Sequence, residues 1–149
     1  MILIHLLLGI IFGQVFGGMI FFILGSLLPD LDHFFVIVRH RNLGIRKLID
    51  SIRYEKRYDI KYKTPLFHSF LALIVFSSAI FLIFGEVWIY FSIAYLLHLL
   101  IDWVDVDVKY YLWPLKVEFK GFLPIWSKFE WLLTLTLLIV IFVLYLLGV

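Results

Sequence analysis

Five side chains able to ligate a metal, His5, Asp30, His68, His98 and Asp102, sit within or at the ends of apolar segments of a 149-residue chain. Ionisable groups at membrane depth are costly, so their presence there points first to function. His98 and Asp102 are four residues apart in Leu97-His98-Leu99-Leu100-Ile101-Asp102, and on a helix they share one face. An imidazole and a carboxylate at that spacing can grip one divalent ion. Metal chemistry is the first expectation.

The elements that must position these ligands follow from composition. The chain is 64% hydrophobic and 16% charged, where a soluble domain is about half apolar and about a quarter charged. The expected fold class is all-α: a polytopic membrane helical bundle in the plasma (inner) membrane, one domain over residues 1–149. No cleavable signal peptide is expected, because no basic n-region is present and no polar mature chain follows. With no cysteine in the chain, disulfides and thiolate zinc sites are excluded. Any metal must be held by His, carboxylate or water.

The apolar stretches are residues 2–28, 66–84, 87–104 and 131–147. The last three each approach the ~20 residues needed to cross a bilayer core, which predicts three transmembrane helices beyond the first stretch. Nine of the thirteen Lys and Arg residues fall between positions 39 and 63, and the other four fall between 109 and 128. The positive-inside rule therefore places residues 39–63 and 105–130 in the cytoplasm. Asp30, Asp32 and His33 follow the first stretch, His68 opens the second, and His98 and Asp102 close the third. All then lie at one depth, near the cytoplasmic interface.

His5 decides how residues 2–28 must fold. As one helix they would set His5 and Asp30, 25 positions apart, about 37 Å from each other on opposite sides of the membrane. A helical hairpin folded at Gly13-Gln14-Val15-Phe16-Gly17-Gly18 brings them together, with arms of about eleven residues that are too short to span. The rival is a single tilted span with Gly9, Gly13 and Gly17 on one close-packing face. Gln14 beside two glycines favours the hairpin. The glycine face can pack within the monomer or pair two copies into a homo-oligomer.

Local sequence adds detail at each ligand. Pro29 biases Leu28 away from helix, so Asp30 and Asp32 are expected on an exit loop aimed back at the site. In Thr64-Pro65-Leu66-Phe67-His68-Ser69, Thr64 reads as an N-cap and Pro65 as the first helical residue. His68 would then lie in the first turn, where the helix dipole keeps imidazole neutral and attracts an anionic substrate. Ser69 reads as a local hydrogen-bonding residue, and His33 as a ligand or a supporting residue behind the ligands.

Ile45, Leu48, Ile49 and Ile52 among Arg46, Lys47, Arg53, Lys56 and Arg57 describe a cytoplasmic amphipathic helix on the inner leaflet. Anionic lipid headgroups are the expected partner. Nucleic acid is not expected, because aromatic interleaving is thin. His40, within Arg39-His40-Arg41, reads as solvated or headgroup-bound. Val104-Asp105-Val106-Asp107-Val108 reads as an exposed extended segment, and Lys116 to Gly121 as a short strand capping the site from the cytoplasmic side. Trp113, Trp126 and Trp131 read as interfacial belt residues.

Taken in order, His5-xxx-Gly9-xxx-Gly13, Leu28-Pro29-Asp30-Leu31-Asp32-His33, His68-Ser69, His98-xxx-Asp102 and Leu112-Trp113-Pro114 resemble the YdjM-like family, whose members are read as membrane-bound metal-dependent hydrolases. The same skeleton is distantly similar to zinc-dependent phospholipase C, an all-helical enzyme. The resemblance implies that His5, Asp30, His68, His98 and Asp102 are direct ligands and that Asp102 bridges two ions. Where many family members carry His-Arg ahead of the His-Ser pair, this chain has Tyr62-Lys63. A ligand or phosphate-binding arginine is thus missing, or replaced by Lys63.

The leading expectation is a hydrolase of a phosphoester in a lipid or lipid-like substrate at the cytoplasmic interface. One or two Zn²⁺ ions, with Mn²⁺ the other candidate, would supply metal-bound hydroxide as nucleophile. Asp32 and Asp102 are the catalytic candidates, with Asp32 as proton acceptor or orienting group. Lys63, Arg39 and Arg41 are the candidates for headgroup binding. The alternative is a divalent-metal transporter or a metal-binding membrane protein without hydrolase activity. Against it, transport sites lie near the midplane between repeats, and no internal repeat is visible.

Overall fold

The computed structural model describes residues 1–33, 38, 64–123 and 127–148. The proposed amphipathic helix, together with Arg39, His40, Arg41, Lys63 and Trp126, lies outside the described residues. The first apolar stretch is two helices, α1 (Ile2–Phe16) and α2 (Met19–Leu27). They are separated by Gly17 and Gly18, whose φ angles of 78° and 64° suit glycine and stop the helix. The hairpin thus turns at the last two positions of the expected break, with arms of 15 and 9 residues rather than equal ones. At 1.5 Å per residue the shorter arm falls far below the ~30 Å of a hydrocarbon core. A methyl group on Gly9 would meet the Ser26 hydroxyl at 2.7 Å, and one on Gly13 would meet the Met19 backbone at 2.7 Å, so both glycines serve the packing of α1 on α2.

Pro29 does not throw the chain into a loop. Leu28–Asp30 forms a 3-10 turn with the proline in its opening positions, and Leu31, Asp32 and His33 continue helically. Proline is tolerated there because the first N–H groups of a turn have no partner to lose. Asp30 and Asp32 are therefore held on a rigid turn and not on the expected exit loop.

Helix α3 (Phe70–Phe84) begins later than the Thr64 reading required. Thr64 starts only one turn, with the His68 N–H donating to its carbonyl at 3.3 Å. Ser69, extended at φ −129° and ψ 156°, then caps α3, its hydroxyl accepting from the Ala72 N–H at 3.2 Å and donating to the Leu66 carbonyl at 2.7 Å. His68 accordingly precedes the helix instead of lying in its first turn. Gly85, with φ 67°, and a short 3-10 turn reverse the chain into α4 (Trp88–Val104).

Among the described residues, two helical stretches are long and apolar enough to cross a membrane, Phe70–Val104 and α5 (Lys128–Leu147), each with mean hydropathy 2.4. The first is the α3–α4 pair, folded back so that the Ser77 and Ser92 hydroxyls meet at 2.7 Å. Helix α2 packs between α1 and α4, α3 covers the other side of α4, and α5 leans on α1. Tyr95, Phe91, Leu99, Ala72 and Tyr111 form one core, and Ile4, Leu7 and Leu137 form a second.

Past α4 a small antiparallel ladder pairs β1 (Val108–Lys109) with β2 (Phe119–Lys120). The N–H groups of Phe122 and Leu123 donate to the Val104 carbonyl, and that of Gly121 to the Asp105 carbonyl, so the ladder closes the end of α4. Only glycine fits at 121, because a Cβ there would lie 2.3 Å from the Trp103 and Val104 carbonyl oxygens.

Candidate metal centre

The His68 and His98 imidazoles each face two carboxylates, those of Asp30 and Asp102. His68 Nε2 is 3.4 Å from Asp102 Oδ2 and 3.9 Å from Asp30 Oδ1. His98 Nε2 is 3.8 Å from each of the same two oxygens. A tetrahedral site with bonds of about 2.1 Å separates its ligand atoms by about 3.4 Å, so these imidazole–carboxylate spacings are close to those around a zinc-like ion. All four side chains are buried, at 7% exposure or less.

The tautomer of His98 is fixed by the fold. Its Nδ1–H donates to the Ser26 carbonyl at 2.7 Å, which leaves the Nε2 lone pair facing the carboxylates. For His68 that partner is Asp32, whose Oδ2 lies 3.2 Å from Nδ1, close enough for charge attraction though off the line of a hydrogen bond. Asp32 is itself anchored. Its Oδ1 accepts from His33 Nδ1–H at 2.7 Å, and its Oδ2 accepts from the Thr64 N–H.

His5, the fifth residue, reaches the other oxygen of Asp102. Its Nε2 is 3.2 Å from Asp102 Oδ1, and its ring stacks on His98 with centroids 3.7 Å apart. The hairpin is what makes this contact available.

The chemistry of the donor set fits a cation. His5 Nδ1, His68 Nε2, His98 Nε2 and Asp30 Oδ2 are buried and have no hydrogen-bond partner among the described residues. Each such atom costs about 1–3 kcal/mol when nothing compensates it. Among the described residues two groups lie close enough to hold an ion, His5 with His98 and Asp102, and Asp30 with His68 and His98.

Charge balance differs from the helix-dipole expectation. Burial pushes His68 toward the neutral form, but the neighbouring carboxylates of Asp30, Asp32 and Asp102 outweigh it and raise the group to about 9. Burial likewise pushes Asp32 up, yet His33, His68 and the Thr64 N–H outweigh it and hold the carboxyl well below the usual range. His68 is thus held by carboxylates, and no helix N-terminus keeps it neutral.

Ser69 does not reach the ligand cluster through any hydrogen bond and serves as the α3 cap. Asp105 is not exposed as the alternating pattern suggested. It is 1% exposed and pairs with Lys109, itself 2% exposed, whose Nζ lies 3.4 Å from Asp105 Oδ2 and donates to the Asp105 carbonyl at 2.9 Å. The i, i+4 spacing of Asp105 and Lys109 was the available signal. The supporting contacts at Ser26 and Thr64 use backbone groups, which no residue type announces.

The chain matches the model of the YdjM inner membrane protein family over residues 1–149. It belongs to that family. The family's inner-membrane character agrees with the two long apolar stretches of this YdjM chain. No curated protein and no solved structure matches the chain.

Proposed function

We propose that this YdjM-family protein is a membrane-embedded metal-dependent hydrolase that cleaves a phosphoester of a lipid or lipid-like substrate. The observation that carries it is the convergence of Asp30 Oδ1, His68 Nε2, His98 Nε2 and Asp102 Oδ2 within 3.4–3.9 Å contacts. Those four residues hold one divalent ion, zinc or manganese. When bound, such an ion polarises the scissile group and lowers the pKa of water toward ~7.

The chain's own groups supply the rest. The Ser26 carbonyl and Asp32 orient the two imidazoles, and His5 orients Asp102. The Asp32–His33 pair, with His33 a quarter exposed, offers a proton acceptor at the open edge of the site. The nine cationic residues between 39 and 63 are tethered on both sides of this pair, after His33 and before Thr64, which binds Asp32. Arg39, Arg41 and Lys63 are the candidates there for holding an anionic headgroup.

The positive-inside rule places that segment, and hence the site, at the cytoplasmic face. In this topology α3, α4 and α5 span the membrane and the α1–α2 hairpin is re-entrant, shielded by protein. The test is headgroup release from a panel of phospholipid vesicles by zinc-loaded protein. Activity lost in Asp30→Asn supports the reading. Full metal loading with no hydrolysis across the panel contradicts it, and metal flux into proteoliposomes would then assign transport.

A further inference from the structure

Asp30, His98 and Asp102 ride on helical backbone, the 3-10 turn and α4, whereas His68 sits in the turn ahead of α3. Its imidazole is buried and faces the carboxylates of Asp30, Asp32 and Asp102. A working ligand must be held to within about 0.5 Å, so the backbone under it has to be fixed. The turn's own bonds are long. The His68 N–H reaches the Thr64 carbonyl at 3.3 Å and the Phe67 N–H reaches the Thr64 hydroxyl at 3.4 Å, beyond the ~2.7–3.2 Å of a strong bond. Ser69 ties the turn to α3 through Leu66 and Ala72.

The tie to α4 comes from Tyr95. This residue is fully buried on α4, three positions before His98, and its hydroxyl donates to the Phe67 carbonyl. That carbonyl and the His68 N–H belong to one peptide unit, which moves as a rigid plane. The bond therefore fixes the backbone of one imidazole to the helix that carries the other imidazole and Asp102. On the far side of His68, the Phe70 N–H donates to the Tyr111 carbonyl at 2.9 Å. The Tyr111 hydroxyl in turn donates to the Leu99 carbonyl of α4 at 2.8 Å.

Packing alone does not account for the phenol. The Phe76 ring stacks on Phe67 and on Tyr95, with centroids 5.9 Å and 6.4 Å apart, so the Tyr95 ring already belongs to the core. Phenylalanine would fill that place without a polar group to bury, and a buried hydroxyl costs free energy unless it is bonded. We infer that Tyr95 is a positioning residue, which sets the reach of His68 to the metal through the Phe67 carbonyl. The inference rests on the metal centre of the proposed function and not on its reaction.

Tyr95→Phe deletes the hydroxyl and keeps the ring. Cobalt(II) stands in for zinc, because its visible absorption reports the ligands around it. It is titrated in detergent into wild type, Tyr95→Phe, His68→Ala and the double variant. Tyr95→Phe is expected to bind cobalt about tenfold more weakly than wild type, with shifted absorption bands. Added to His68→Ala, the same change is expected to alter affinity by less than about twofold and to leave the bands in place. Equal losses in both backgrounds overturn the inference, since the hydroxyl would then act on the fold at large. Unchanged bands in Tyr95→Phe overturn it too, and they decide alone where His68→Ala takes up no cobalt. Wild type that binds no ion removes the metal centre and this inference together. Wild type that binds cobalt and hydrolyses nothing removes only the enzyme reading.

Discussion

The Nδ1–H of His98 on α4 donates to the backbone carbonyl of Ser26 on α2 at 2.7 Å, joining residues 72 positions apart. This bond depends on close approach of the two helices at Gly25, where a Cβ would lie 2.3 Å from the Phe91 carbonyl oxygen. Gly25→Ala is therefore expected to push α2 off α4, moving both the Ser26 carbonyl and Asp30. Overpacking of this kind costs about 1–3 kcal/mol, and loss of a group supporting a ligand weakens metal binding by about 10–100-fold. Thermal unfolding in detergent and zinc titration would show both losses together. Unchanged affinity would mean that the His98–Ser26 bond does not set ligand geometry.

His5 binds Asp102 Oδ1, whereas His68 and His98 approach Oδ2. With His5 orienting Asp102, His5→Ala keeps one ion per chain with affinity reduced about 10–100-fold. Elemental analysis showing two ions in wild type and one in His5→Ala would instead make His5 a ligand of a second ion, bridged by Asp102.

Metal binding should depend on pH through His68. In the metal-free protein the His68 proton stabilises the fold; that contribution is fully present below the ordinary value of 6.5 and is lost as pH rises through about 9. A ligating imidazole is neutral, so between those values each ion displaces about one proton and affinity climbs about tenfold per pH unit. Calorimetry in two buffers of different ionisation enthalpy would count that proton. A flat affinity across the window would contradict the assignment of His68 as a ligand.

The Asp105–Lys109 pair closes the end of α4 three residues beyond Asp102, and both side chains are buried. Removing one member of a buried pair costs about 3–5 kcal/mol, whereas removing both costs less. Lys109→Met is expected to unfold at lower temperature than the double variant Asp105→Asn/Lys109→Met. The reverse order would show that the two charges are not coupled.

The His/Asp cluster was legible because each member broke a local apolar pattern. His98 and Asp102 share a helix face by spacing alone, and His5 could join Asp30 only through a break near Gly17-Gly18. What stayed hidden depends on contacts between distant segments. The Ser26 carbonyl and Thr64 N–H are backbone groups, and Thr64 lost the helix start to Ser69 because the Ser69 hydroxyl bonds both Leu66 and Ala72. Alternation misled at Asp105, since the β1–β2 ladder folds back over the end of α4 and buries what a lone strand would expose.

Metal content by elemental analysis, on wild type and Asp30→Asn purified in detergent and incubated with zinc or manganese, decides whether the His/Asp cluster is a metal site. One tightly held ion is expected in wild type and its loss in Asp30→Asn, with helical content by circular dichroism unchanged. Wild type that stays empty of both metals would contradict the metal site and remove the hydrolase with it.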